Sequence, residues 1–275
     1  MTDNLTQLRF ADAQLSTGVR LHYAEQGDPS AHPIILLHGY TDSWLSFSGV
    51  LPRLAATYRV YALDQRGHGD SDRPEDGAYT FDDYAADVVA FMDAMGLERA
   101  SLVGHSMGSM VAQRVALNAP QRVARLILIA SATTVRNDGV LELQRAVEML
   151  DDPVPVEFAR EFQASTVYHP VPDDFMDGAV AASLKVPARV WRGAMEGMLA
   201  SHPITLDRIL TPTLILWGDH DTIFSRAEQD ALVATLADAS LKVYAETGHA
   251  LHWERPEQFV RDVEAFVVAG PTGEV

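Results

Sequence analysis

Ala100-Ser101-Leu102-Val103-Gly104-His105-Ser106-Met107-Gly108 is an apolar run that ends in a G-x-S-x-G pentapeptide. The run reads as a buried strand. Met110, Val111 and Val115 beyond it continue as a helix that Pro120 stops. The pentapeptide therefore sits where a strand turns sharply into a helix. Such a turn needs small residues on both sides, because the two backbones pass close together. It holds the serine in a strained conformation with its hydroxyl pushed outward, and the new helix aims its first amides at the place where negative charge would develop. The bland alternative is an inert serine in a glycine-rich turn, and the strand-to-helix setting argues against it.

Working outward, short apolar runs alternate with amphipathic ones, the pattern of parallel strands joined by crossover helices. Pro33–Leu37, Arg59–Leu63, Ala100–Val103, Leu126–Ala130, Thr213–Trp217 and Leu241–Tyr244 read as the parallel strands. An early antiparallel hairpin, Arg9 to Leu15 and Val19 to Glu25, turns at Thr17-Gly18. Helices are expected over Phe81–Met95, Ser106–Asn118, Arg226–Ala237 and Pro256–Val268. From Thr133 to Ile204 the rhythm breaks: no convincing strand occurs, and four amphipathic segments follow one another at Val140–Leu150, Pro155–Ser165, Asp173–Leu184 and Pro187–Ala200. The expected division is a core of residues 1–132 and 205–275 with a helical insertion over 133–204.

A serine alcohol is a poor nucleophile and needs a base. Gly248-His249 lies late in the chain, between the last strand and the last helix, so His249 is the candidate and His252 the rival. The base in turn needs a carboxylate to fix its tautomer and stabilise the imidazolium. Trp217-Gly218-Asp219-His220-Asp221 follows a buried strand and offers two. Asp221 lies farther into the loop and is the better placed to reach His249, leaving Asp219 to shape the turn. The oxyanion of an acyl-transfer intermediate calls for two amides. Met107, immediately after the serine, supplies one. The loop His38-Gly39-Tyr40 supplies the other, through Tyr40. His38 reads as a loop brace.

These segments, with Asp64-Gln65-Arg66-Gly67-His68-Gly69-Asp70-Ser71, stand in an order that resembles the α/β-hydrolase family from roughly Leu21 to Val267. The chain order Ser106, Asp221, His249 fits that fold and not the other triad-bearing folds. The resemblance implies an α/β architecture: a mostly parallel eight-stranded sheet, helices on both faces, and a helical cap inserted after the sixth strand. It also implies that Asp64–Ser71 is a structural loop. Ser109 departs from the pattern, since many relatives have glycine there. Relatives that open epoxides or displace halide use a carboxylate nucleophile, which Ser106 rules out.

Composition removes other classes. The net charge of −17 disfavours nucleic-acid and anionic-membrane partners. The absence of cysteine excludes disulfides, thiolate catalysis and cysteine-ligated metals. Gly67-His68-Gly69 lacks the third glycine of a dinucleotide fingerprint, and no H-E-x-x-H occurs, so no cofactor and no metal are expected. Met1–Phe10 lacks a basic stretch followed by an apolar core, and no apolar run approaches the roughly 18 residues of a membrane span. A cytoplasmic monomer or homodimer is the expectation.

The insertion is rich in bulky apolar residues, and most of them should pack it down. Trp191 and Met195, with Tyr40 and Trp44 from the core, are expected to line an apolar pocket. Hydrolysis of a neutral, moderately hydrophobic ester or lactone follows. Two alternatives stay open. One is carbon–carbon bond hydrolysis of aromatic ring-cleavage products, with Arg189 or Arg192 holding a substrate carboxylate. The other is a slow-turnover ligand sensor.

Overall fold

The computed structural model describes residues 7–75 and 77–268. The outer ends of the expected core range, 1–6 and 269–275, lie outside them. In chain order the elements are β1 (Arg9–Gln14), β2 (Arg20–Gln26), β3 (Pro33–Leu37), α1 (Leu51–Leu54), β4 (Arg59–Leu63), α2 (Phe81–Ala94), β5 (Ala100–His105), α3 (Met107–Asn118) and β6 (Val123–Ile129). Four helices follow: α4 (Asp138–Glu148), α5 (Val156–Ala164), α6 (Asp173–Lys185) and α7 (Ala188–Ala200). The chain then returns through β7 (Thr213–Gly218), α8 (Arg226–Thr235), β8 (Ala239–Tyr244), α9 (Leu251–Glu254) and α10 (Pro256–Val268).

All eight strands form one sheet in the order β1-β2-β4-β3-β5-β6-β7-β8. β1 and β2 pair antiparallel, as do β2 and β4; the remaining neighbours are parallel. The sequence reason is the period of two within each apolar run. Ile35 and Leu37 of β3, Leu102 of β5 and Leu126 and Leu128 of β6 enter the core that includes Phe91 of α2 and Met110 of α3. Their alternates, Ile34, Leu36, Val103, Ile127 and Ile129, enter a second core on the opposite face with Leu51 of α1 and Phe259 of α10. Strands covered on both faces read as unbroken hydrophobic runs, which is why these were legible.

The helices of the insertion start where local capping dictates. α4 begins two residues before the expected Val140, because the Asn137 side chain accepts the Val140 amide at 2.9 Å and caps the helix there. A 3₁₀ turn at Trp44–Phe47, with Ser43 as N-cap, and the single turn α9 were not expected. Both are too short to leave a periodic signature. Among the described residues no helix is long and apolar enough to cross a membrane.

Candidate active site

The carboxyl ends of β3, β5, β7 and β8 gather the candidate groups at one edge of the sheet, the usual position for a ligand on an open α/β sheet. Ser106 joins β5 to α3 at φ 51°, ψ −116°, a left-handed conformation for a residue with a Cβ. Its amide is held by the Ile129 carbonyl at 3.0 Å. The flanking glycines are there for space. A Cβ on Gly104 would lie 2.2 Å from the Gly108 carbonyl oxygen, and one on Gly108 would lie 2.2 Å from that of Leu37. Ser109, where the resemblance suggested glycine, donates to the Ser106 carbonyl at 2.6 Å and lies 2.7 Å from the Ser131 hydroxyl, so the departure adds a brace under the turn.

Asp221 and His249 meet at 2.9 Å, Oδ2 to Nδ1. Both side chains are buried. The other carboxylate oxygen of Asp221 accepts the amides of Ile223 at 2.8 Å and Phe224 at 3.0 Å, so three donors fix the acid. That arrangement holds the His249 proton on Nδ1 and leaves Nε2 with its lone pair. Asp219 is instead half-exposed, with its carboxylate on His220. Gly248 is also there for space. A Cβ there would lie 2.6 Å from the Tyr168 amide and 2.9 Å from the Thr166 carbonyl oxygen, so the glycine admits the backbone of the insertion.

That contact is reinforced on both sides. Ala250 donates its amide to the Thr166 carbonyl at 2.8 Å. Glu254 accepts the Gly248 amide at 2.8 Å and those of Tyr168 and His169 at 3.1 and 2.9 Å. The histidine loop and the insertion are thus tied by one main-chain bond and by the Glu254 carboxylate.

Ser106 and His249 line one cavity of about 60 Å³, without a direct hydrogen bond between them. Tyr40, Met107, Phe162 and Met195 contribute to its wall. Neither the Met107 amide nor that of Tyr40 donates to another group of the described chain, and Met107 stands in the first turn of a helix, where amides lack an intrahelical acceptor. A groove of about 250 Å³ continues outward between α4 and α5 and shares Val140, Leu143, Phe162 and Ile223 with the cavity.

Two expected pocket residues do not line it. Trp44 rides on the 3₁₀ turn, whose start is fixed by the Trp44 amide on Asp64 at 2.7 Å, and its ring packs edge-on against Phe10. Trp191 is fully buried one layer behind the wall. Its indole N–H points at the Ser183 and Val186 carbonyls, and its ring lies edge-on against Tyr40 and Phe162. The Tyr40 hydroxyl donates to the Trp191 carbonyl at 2.5 Å, which leaves only the ring of Tyr40 for the cavity. His38 braces its loop: Nδ1 donates to the Gly39 carbonyl at 2.7 Å, and Nε2 accepts the Gln65 amide at 3.0 Å. His252, the rival base, lies behind the site against Ser46, and burial lowers it to about 3.

Sequence reasoning missed Asp42, Gln163 and Thr166, all on the cavity wall. Asp42 reads as an ordinary turn residue. Its one sequence signal was its place four residues after His38 on the loop that carries Tyr40. Burial pushes its carboxyl up to about 7.

Among the described residues, metal-type ligand atoms converge at His22, Asp64 and Asp70. None of these lines the cavity. Both Asp64 oxygens are taken by the amides of Trp44 and Asp70, His22 Nδ1 lies on Asp12, and Asp70 pairs with Lys185. The Asp64–Ser71 loop is structural in the same way, and its Arg66 forms a buried two-point pair with Asp87 at 2.6 and 2.7 Å.

With this geometry in hand, comparison with known proteins places the chain. Residues 32–256 match the family model described as alpha/beta hydrolase fold. The 2-hydroxy-6-oxononadienedioate/2-hydroxy-6-oxononatrienedioate hydrolase of Paraburkholderia xenovorans is 30% identical over 289 residues, covering 97% of this chain and 95% of that one. The non-heme chloroperoxidase of Streptomyces lividans is 30% identical over 279 residues, covering 92% and 97%. A crystal structure of a hydrolase from Pseudomonas aeruginosa PA01 superposes with a TM-score of 0.82 at 27% identity, covering 98% of this chain and all of that one. The chain belongs to the α/β-hydrolase fold family.

Proposed function

We propose that this protein hydrolyses carboxylic esters or lactones of neutral, moderately hydrophobic small molecules. In this reading the Ser106 oxygen attacks the carbonyl carbon as His249 Nε2 takes its proton. The carbonyl oxygen becomes an oxyanion facing the Tyr40 and Met107 amides. Collapse expels the alcohol, which takes the proton from His249 and leaves an acyl-Ser106 ester. Water then attacks that ester, giving a proton to His249, and release of the acid returns the proton to Ser106. In a lactone the alcohol stays tethered. The sequence balances with no cofactor.

The observation that carries the reading is the chemistry of the cavity wall. Apolar side chains dominate it, and it contains no lysine or arginine. A cavity of about 60 Å³ suits a short acyl group, with the larger part of the substrate running into the groove between α4 and α5.

The second reading, carbon–carbon bond hydrolysis, draws support from the similarity to the P. xenovorans hydrolase of a dioate substrate. Its weakness is the lack of a carboxylate receptor. Arg189 is bonded to the Arg73 and Pro74 carbonyls and Arg192 to the Leu150 carbonyl, and neither lines the cavity.

The test is turnover of a graded set of p-nitrophenyl acyl esters and simple lactones, beside a 2-hydroxy-6-oxodienoate, for wild type and Ser106→Ala. Ester turnover lost in the variant supports the proposal. Turnover of the dienoate alone replaces it with the second reading.

A further inference from the structure

The apolar wall is interrupted on the side next to the histidine loop. Asp42, Gln163 and Thr166 stand there, 4, 1 and 5% exposed. Buried polar groups are expensive unless paired, so the pairing decides what the wall can accept. Gln163 Nε2 donates to Asp42 Oδ1 at 2.9 Å and to Ser183 Oγ at 2.8 Å, which uses both amide hydrogens and fixes the plane of the group. The Gln163 side-chain oxygen, Oε1, accepts no hydrogen bond from the described residues. The Thr166 hydroxyl hydrogen goes to the Gln163 main-chain carbonyl at 2.7 Å, leaving lone pairs on Oγ1. Asp42 Oδ2 is within reach of the Ser46 hydroxyl at 3.3 Å, and Ser46 is itself 3.2 Å from His252 Nε2. A proton on Asp42 can therefore lie toward Ser46 without disturbing the bond from Gln163. The side-chain hydrogens of Gln163 and Thr166 all have acceptors inside the protein, and what these two side chains offer the cavity is acceptor capacity.

We propose that Gln163 and Thr166, with Gln163 oriented by Asp42 and Ser183, form a polar subsite that receives a hydroxyl group carried by the substrate. The preferred esters or lactones are then hydroxylated rather than wholly hydrocarbon. This rests on the ester reading above. A hydroxyl donates one hydrogen to the Gln163 oxygen and asks for no charge compensation, whereas a hydrocarbon at the same place leaves that oxygen buried and unpaired. Sites built to bond a substrate hydroxyl reject the analogue that lacks it far more strongly than an apolar pocket rejects a missing methylene. Burial keeps Asp42 largely protonated below about pH 7, so under those conditions the wall is not an ammonium site.

The experiment compares kcat/KM for matched pairs: p-nitrophenyl butyrate against its 3-hydroxy form, and γ-butyrolactone against its α-hydroxy form. Wild type should favour the hydroxylated member of at least one pair by about tenfold or more. Gln163→Met and Thr166→Val should bring that ratio toward one. Asp42→Asn, which retains an acceptor for Gln163 and an N–H for Ser46, should keep it. General loosening of the insertion would not spare the conservative variant alone. If Gln163→Met fails to fold, Thr166→Val and the wild-type ratio still decide. Ester turnover with ratios within about twofold in wild type overturns the subsite and leaves the ester reading standing. If no ester or lactone is turned over, the ester reading fails separately. The subsite is then judged from the rate at which Ser106 is labelled by alkyl fluorophosphonates with and without the hydroxyl: tenfold faster labelling of the hydroxylated probe supports it, and equal rates overturn it.

Discussion

His249 Nδ1 lies 2.9 Å from Asp221 Oδ2, while Asp219, two residues earlier on the same loop, holds His220 at 2.7 Å instead. The two acids are chemically identical, and only their places on the loop separate them. Asp221→Asn should lower kcat on an ester by about 10³- to 10⁴-fold, because the amide presents the wrong partner to Nδ1 and releases the tautomer. Asp219→Asn should stay within about threefold. Steady-state kinetics of the two purified variants check this, and the reverse ranking would remove Asp221 from the site.

Ser106 carries its hydroxyl at a backbone angle that a glycine adopts without strain. Ser106→Gly should therefore raise stability by about 1 kcal/mol while reducing ester turnover by at least about 10³-fold. Urea unfolding read together with activity tests both halves. A variant that loses stability would show that the turn is not strained by its serine.

Gly108 and Gly49 make a matched pair. A Cβ on Gly108 would meet the Leu37 carbonyl oxygen at 2.2 Å, whereas one on Gly49 would meet nothing within 4 Å. Gly108→Ala should cost about 3 kcal/mol or more, or prevent folding, since a backbone atom cannot swing aside. Gly49→Ala should change stability by less than about 1 kcal/mol. Equal midpoints in denaturant would contradict the close strand-to-helix approach.

The pH dependence of stability should come from buried histidines opposed by Asp42. Burial lowers His68 to about 4 and His252 to about 3, and it lowers His38 and His105 well below the usual imidazole value. The unfolded chain binds protons at these sites below about pH 6.5 and the native chain does not, so stability falls as pH drops from there toward about 4. Asp42, raised to about 7, works the other way: the native state holds its proton longer, and stability is lost as pH rises from about 4 to 7. Asp42→Asn removes the opposing group. Between pH 5 and 6.5 its stability should rise more steeply than that of wild type, by about 1.4 kcal/mol per pH unit. Urea midpoints at three pH values decide it, and an unchanged or shallower slope would show that Asp42 ionises normally.

Much of this architecture was legible because parallel strands covered on both faces are continuous apolar runs, and because the strand-to-helix turn at Ser106 has room only for glycine at 104 and 108. The loops at the sheet edge were readable wherever a strand end preceded a chemically distinctive residue, as with Asp221 and His249. The pocket wall was not. Trp44 and Trp191 are large and apolar, as pocket residues often are. One was carried away by a 3₁₀ turn that has no periodic signature, and the other was drawn inward by two carbonyls seeking its indole N–H. Asp42 and Gln163 lie 121 positions apart and meet only when the insertion folds back onto the core. No local pattern encodes a contact of that kind.

The main-chain bond from Ala250 to Thr166, and the three amides gathered on the Glu254 carboxylate, join the insertion at the cavity wall to the loop bearing His249. A displacement of Thr166 and Tyr168 away from that loop has to break the three hydrogen bonds that Thr166, Tyr168 and His169 make with Ala250 and Glu254, so this stretch of the insertion and the His249 loop are held as one piece.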